Sequence, residues 1–237
     1  MKDHAVALIT GANKGLGFEI ARQLGRQGLC VVLGARDLEK GDAAASVLRS
    51  EGCDAHAVQL DVAREQDVAA LPAFFTGKFG RLDVLVNNAG VAEWALDDLD
   101  SFRRTFEPNL FGVVATTYAL LQLIKESPAG RIVNQSSQLG SLTSITEHPE
   151  MFGGFVVPAY TASKAALNGF TVALALKLGS TRVKVNSAHP GWARTELGGD
   201  AAPMTAEAGA RTAVRLATLP DDGPTGRFFH LDDELPW

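Results

Sequence analysis

With 237 residues, 46% of them hydrophobic and 21% charged, the chain has an ordinary soluble composition and is long enough for one large α/β domain with a substantial core. Its net charge of −5, with Lys and Arg scattered along the chain, argues against nucleic acid as a partner, and no apolar run approaches the length of a membrane span. Met1-Lys2-Asp3-His4 leads into an apolar strand without a signal-peptide cleavage pattern, so a cytoplasmic protein is expected.

In chain order the periodicity predicts a strand at 5–9, a helix at 15–27, a strand at 29–35, a helix at 38–51, a strand at 55–60, a helix at 64–79 and a strand at 82–86. A long helix at 99–125, a strand at 131–135, a helix at 158–179, a strand at 182–187, a helix at 205–219 and a strand at 227–230 complete the series. Several strands are continuous apolar runs, as parallel strands buried on both faces are, so the expectation is a parallel sheet with helices on both sides. No linker, repeat or composition break divides the chain, which predicts a single domain. Residues 138–157 and 191–204 fit no βα unit and read as substrate walls or as ordinary surface loops. Cys30 and Cys53 lie outside any C-x-x-C spacing, each at the start of a strand. Both read as small buried hydrophobes, and no metal site is predicted.

Thr10-Gly11-Ala12-Asn13-Lys14-Gly15-Leu16-Gly17 joins the first strand to the first helix. Glycines there let the backbone approach a pyrophosphate, and the helix start supplies N–H groups and positive dipole. The alternative is a tight turn needed for packing, and the position after a buried N-terminal strand favours a nucleotide. The second strand ends in Ala35-Arg36-Asp37. An acidic residue at this tip would meet a free ribose 2′-hydroxyl, whereas Arg36, helped by Lys14, would pair with a 2′-phosphate. Asp37 reads as the N-cap of the next helix, leaving two cations and no acid, which favours NADP(H). Asp61-Val62 closes the third strand, where Asp61 would receive the adenine amino group, cap the next helix, or both.

Tyr160-Thr-Ala-Ser-Lys164 places a phenol and an ammonium on one helix face, about 6 Å apart along the axis. An ammonium lowers a neighbouring phenol's pKa from about 10, so the pair is suited to moving a proton at neutral pH. On its own such a pair is more often solvated surface.

The glycine loop, Asn87-Asn88-Ala89-Gly90, Ser136-Ser137, Tyr160-x-x-x-Lys164 and Pro190-Gly191 occur here in one order. Together they resemble the short-chain dehydrogenase/reductase family, over nearly the whole chain. Thr10–Gly17, Pro190-Gly-Trp-Ala-Arg-Thr195, Ala208-Gly209-Ala210 and Trp237 resemble its NADPH-dependent carbonyl reductase branch. That branch also carries an insertion between its serine and tyrosine, and here Ser137 precedes Tyr160 by 23 positions, about ten more than is usual.

The resemblance implies a single-domain Rossmann fold: a doubly wound, seven-stranded parallel sheet in the order 3-2-1-4-5-6-7, with the site at the carboxyl ends of the strands. It implies Tyr160 as general acid, Lys164 as the residue that tunes it and holds the nicotinamide ribose, and Ser137 as the hydroxyl on the substrate oxygen, with Ser136 the alternative. Asn109 would support a proton relay to the lysine; otherwise it is a helix-bending residue satisfied by backbone. Gly11, Asn13, Lys14, Gly15, Leu16, Gly17, Arg36, Asp61, Val62, Asn88, Ala89 and Gly90 would hold the adenosine and pyrophosphate. Pro190, Gly191, Ala193 and Thr195, with Tyr160 and Lys164, would hold the nicotinamide half. Asn87 and Asn88 read equally as ties between strands, and His189 as structural.

Substrate walls are expected from Trp94, Leu139, Phe152 and Trp192, with Met151, Phe155 and Leu197 as further candidates. Their apolar character suits a ketone, aldehyde or quinone reduced by NADPH, without a metal. An NAD-dependent alcohol dehydrogenase, kept open by Asp37, and a non-catalytic NADP(H)-binding sensor are the competing functions. The insertion favours a monomer or homodimer, with a tetramer left open.

Overall fold

Val6–Thr10 (β1) is buried along its whole length, and its side chains alternate between two cores. Ala7 and Ile9 face a cluster built with Gly15–Arg26 (α1) and Leu38–Ser50 (α2), while Val6 and Leu8 face one built with Glu65–Lys78 (α3). This two-sided burial is why the strand reads as an unbroken apolar run rather than an alternating one. The computed structural model describes residues 5–94, 98–153 and 157–237.

Cys30–Ala35 (β2), Ala55–Gln59 (β3), Val84–Asn87 (β4), Arg131–Gln135 (β5), Lys184–His189 (β6) and Phe228–His230 (β7) join β1 in one parallel sheet. The order is β3-β2-β1-β4-β5-β6-β7, closed by an eighth strand, Asp233–Glu234 (β8), antiparallel to β7. The expected seven-stranded sheet is thus extended by one strand. Leu231, with φ of 51°, turns the chain back after β7. Two exposed acidic residues give no periodic or apolar signal, so β8 is invisible in the sequence.

The helix predicted at 99–125 is three pieces. Leu99–Phe106 (α4) passes through a π-helical turn at Glu107–Phe111 into Gly112–Glu126 (α5). Pro108 cannot donate to the helical ladder, and the widened turn absorbs the defect. Residues 138–157, expected to be irregular, contain the short helix Leu142–Glu147 (α6) between two 3₁₀ turns. Ser141 caps α6 by accepting from Ser144 N–H at 3.0 Å and donates to the carbonyl of Pro236 at 2.8 Å. Trp237 in turn stacks on Phe228 at 5.7 Å, so the insertion is anchored to the chain's last residues. Phe155 lies outside the described residues. Pro158–Lys177 (α7), with Pro158 at its first turn, packs with α3 and α5 on one face of the sheet. Ala206–Ala217 (α8) packs with α1 and α2 on the other. Among the described residues no helix is long and apolar enough to cross a membrane.

At the amino ends of β2 and β3, Cys30, Asp54 and His56 bring their ligand atoms within 4.8 Å of one another. Cys30 lies far in sequence from Asp54 and His56 and shares no motif spacing with them, so the sequence does not reveal this cluster. Burial, and then Asp54, push the Cys30 thiol up to about 12, which leaves it a protonated hydrogen-bond donor. Both cysteines are buried.

Candidate active site

At the opposite edge the strands open into a cleft of about 1760 Å³. Every sequence-predicted site residue within the described chain lines it except Asn109, which is buried behind it. Its phosphate end is the turn after β1. Gly11 has φ of 63°, and a Cβ there would come within 3.0 Å of Ala89 Cα. Only glycine fits this close approach without strain. Thr10 Oγ1 accepts from Asn88 N–H at 3.0 Å and Ala89 N–H at 2.9 Å, while Asn88 Nδ2 donates to the carbonyl of Thr10 at 2.9 Å. Asn88 is therefore a tie between β1 and β4 that also lines the cleft. Asn87 is a tie alone, donating to Asn134 Oδ1 at 2.9 Å. The first turn of α1 has neither a side-chain cap nor an acidic residue, so its N–H groups face the cleft uncompensated.

Lys14 and Arg36 both stand at this end. Asp37 is turned away: Oδ1 accepts from Lys40 N–H at 3.2 Å, and this bond holds the carboxyl below its ordinary range. It is the N-cap of α2, as the sequence suggests. Asp61 does not cap α3, contrary to one expectation; its Oδ1 accepts from Ala63 N–H at 3.0 Å in a local turn. One carboxylate at the cleft belongs to no sequence motif. Glu196 pairs with Lys14 across the cleft mouth, and the Lys14 hydrogen bond holds the Glu196 carboxyl below its ordinary range.

The other end gathers Ser137, Tyr160 and Lys164. The Ser137 hydroxyl stands beside Tyr160, where it favours the phenolate, and Ser137 Oγ accepts from Leu139 N–H at 3.2 Å. Ser136 points elsewhere, donating to Asn168 Oδ1 at 2.7 Å, which separates the two serines. Lys164 Nζ donates to the carbonyl of Gln135 at 2.8 Å and lies 5.6 Å from the centre of the Tyr160 ring. Burial pushes the Tyr160 phenol up to about 12, opposed by the neighbouring Ser137 hydroxyl, and pushes Lys164 down to about 8. The expected lowering of the phenol by the ammonium is absent from this arrangement. The ammonium rests over the ring rather than at the hydroxyl, and desolvation dominates both groups. The resting site therefore holds a neutral phenol able to donate a proton.

Asn109 sits in the π-helical turn. Its Oδ1 accepts from Val91 N–H at 2.8 Å, and its Nδ2 donates to the carbonyl of Val91 at 2.9 Å and to Ser163 Oγ at 3.1 Å. It thus clamps the segment after β4 onto α7. Gly90 lies between: a Cβ there would be 3.0 Å from Asn109 Oδ1 and 3.6 Å from Lys164 Nζ. His189 lines the cleft; its Nδ1 accepts from Gln138 N–H at 3.3 Å, and burial pushes the imidazole down to about 3, so it is neutral at ordinary pH.

Trp94 covers Tyr160, ring centres 5.2 Å apart. Leu139, Phe152 and Trp192 line the same region, with Met151 and Leu197. Trp192 is fixed by donation from Nε1 to the carbonyl of Gly198 at 2.8 Å. Arg104 and Glu93 close one side through bonds of 2.7 and 2.8 Å. Pro190, Gly191, Ala193 and Thr195 form the wall after β6, held by Arg194 N–H to the carbonyl of Met204 at 2.7 Å.

A sequence profile described as short chain dehydrogenase matches residues 5–206. The chain is 37% identical to carbonyl reductase (NADPH) 1 of Mus musculus over 274 aligned positions, which cover 98% of each protein. Those 274 positions exceed the 237 residues here, so the mouse protein has segments this chain lacks. Salutaridine reductase from Papaver somniferum superposes with a TM-score of 0.84 at 31% identity, covering 97% of this chain and 100% of that one. The NADPH-bound carbonyl reductase from chicken fatty liver gives a TM-score of 0.86 over 99% of each chain, a likeness of fold at 21% identity. The chain belongs to the short-chain dehydrogenase/reductase family and, within it, resembles the carbonyl reductase branch.

Proposed function

We propose that this chain is an NADPH-dependent reductase of ketone, aldehyde or quinone carbonyls in which Tyr160 supplies the proton. One observation carries the reading: Ser137, Tyr160 and Lys164 stand in the same cleft as Lys14 and Arg36. NADP(H) fits the residues present. The uncapped start of α1 suits a pyrophosphate, and two cations with Asp37 turned away suit a 2′-phosphate. Relatives that are NADPH reductases by name support the same cofactor.

When bound, the cofactor supplies a hydride for the carbonyl carbon. Gly11, Asn13, Gly15, Leu16 and Gly17 cradle its phosphates, and Asp61, Val62, Asn88, Ala89 and Gly90 line the adenosine side. Pro190, Gly191, Ala193 and Thr195 wall the nicotinamide side. Ser137 donates to the substrate oxygen and stabilises charge developing there. Tyr160 delivers its proton to that oxygen, and Lys164, anchored on Gln135, provides positive charge beside the phenol. Asn109 acts by holding the segment after Gly90 against α7. Trp94, Leu139, Phe152 and Trp192, from 138–157, 191–204 and the segment after β4, exclude water and receive the apolar body of the substrate. A cytoplasmic monomer or homodimer accompanies this reading.

The test of the cofactor assignment is the dissociation constant of NADPH against NADH, measured by fluorescence titration of wild type and Arg36→Asp. The proposal expects NADPH to bind more tightly and the variant to reverse or erase the preference. Equal binding of both by wild type would move the reading to the NAD-dependent alternative.

A further inference from the structure

Gln135, the last residue of β5, is 6% exposed and lines the cleft. Neither its amide nitrogen nor its amide oxygen has a hydrogen-bond partner among the described residues. Of the buried side-chain atoms left unpaired there, those of Gln135 alone belong to a cleft-lining residue. Its backbone carbonyl is occupied by Lys164, so the side chain is a separate feature. A buried amide without partners is unfavourable, and such a group in a binding cleft is satisfied by what binds there.

The strand fixes which side of the cleft the amide serves. Along β5, Ile132 belongs to the core shared with α3, α5 and α7, and Asn134 donates to Thr171 of α7 at 2.9 Å. Val133 belongs to the core shared with α1, α2 and α8. By alternation Gln135 points with Val133, toward α1 and α8. Its register partner Ala188 lies in that same core. There Leu16 and Pro190 converge: a Cβ on Gly209 of α8 would be 3.3 Å from Leu16 Cδ1 and 3.1 Å from the carbonyl of Pro190. Tyr160 and Lys164 approach from α7, on the other side. Gln135 therefore belongs to the corner between the glycine loop and Pro190, not to the Trp94–Tyr160 wall.

We infer that Gln135 is a cofactor-positioning residue whose amide pairs with the carboxamide of the nicotinamide, an inference that rests on the NADP(H) reading above. The chemistry is complementary. A primary carboxamide offers one acceptor and two donors, and Gln135 presents an unpaired donor and an unpaired acceptor. Pairing at two points fixes the ring's rotation, and with it the face presented to the substrate.

Binding, not turnover, tests this. Dissociation constants of NADP⁺ and of 2′,5′-ADP, which lacks the nicotinamide half, are measured by calorimetry on wild type and Gln135→Met. Gln135→Leu serves if the methionine variant does not fold. The expected result is about tenfold weaker NADP⁺ binding, a loss of about 1.4 kcal/mol, with 2′,5′-ADP unchanged. The melting temperature without ligand should hold or rise, because an unpaired buried amide has been removed. NADP⁺ binding that is unchanged or tighter, or equal weakening of both ligands, overturns the inference while leaving the NADP(H) reading standing. Failure of wild type to bind NADP⁺ overturns both.

Discussion

Lys14 of the glycine loop and Glu196 of the segment after β6 are ion-paired across the mouth of the cleft. On the proposed reading, the pair joins the phosphate lip of the cleft to its nicotinamide lip. It also places a carboxylate beside Lys14, the cation expected to help Arg36 hold a 2′-phosphate, and Glu196 feels Arg36 as well. Replacing Glu196 with Gln should tighten NADPH about threefold at low salt and leave NADH unchanged, because only the 2′-phosphate competes for Lys14. Titration of both cofactors at two ionic strengths checks this, and the difference should shrink at the higher one.

The pH dependence follows from Lys164 rather than Tyr160. Lys164 is depressed to about 8 and Tyr160 raised to about 12 by burial. Reduction needs a protonated phenol and an ammonium beside it, so kcat/KM should fall as pH rises through about 8. Stability should move the other way. Between about 8 and the ordinary lysine value of 10.5 the unfolded chain binds the extra proton, so Lys164 makes stability rise with pH in that window. A rate profile flat up to pH 10 would show that the lysine does not set the proton step.

The adjacent serines should separate cleanly. Ser137→Ala removes the hydroxyl beside Tyr160 that the proposed function places on the substrate oxygen, and should lower kcat/KM by about 10² to 10³. Ser136→Ala leaves Asn168 Oδ1 without its donor, so it should cost about 1–3 kcal/mol of stability and change kcat/KM little. Denaturant melts and initial rates on both variants decide it.

Asn109→Ala should strip partners from both backbone groups of Val91 and from Ser163. A loss of about 2–4 kcal/mol in stability is expected. The segment after Gly90 should exchange amide hydrogens faster than in wild type, which hydrogen-exchange mass spectrometry reads directly.

Residues close in sequence announced themselves. The glycine loop, Asp37 as an N-cap and the spacing of Tyr160 to Lys164 are local patterns, and the structure shows the strand-to-helix turn, the cap and the shared helix they describe. Features built by tertiary packing did not. Glu196 meets Lys14 from 182 positions away, and Gln135 stands out only once burial shows its amide to be unpaired. The break in the 99–125 helix carries one visible signal, Pro108, yet the apolar pattern runs straight through it. The phenol's upward shift depends on desolvation, which helical spacing does not report.

The central claim is that Tyr160 gives the proton in an NADPH-driven carbonyl reduction. The most direct measurement is the initial rate of NADPH oxidation by wild type and Tyr160→Phe over a panel of ketones, aldehydes and quinones, with the NADPH dissociation constant taken on the same samples. The account predicts turnover by wild type and at least a 100-fold lower rate in the variant, with cofactor binding retained. Comparable rates in the two proteins, or tight NADPH binding by wild type without turnover of any carbonyl tested, would contradict it.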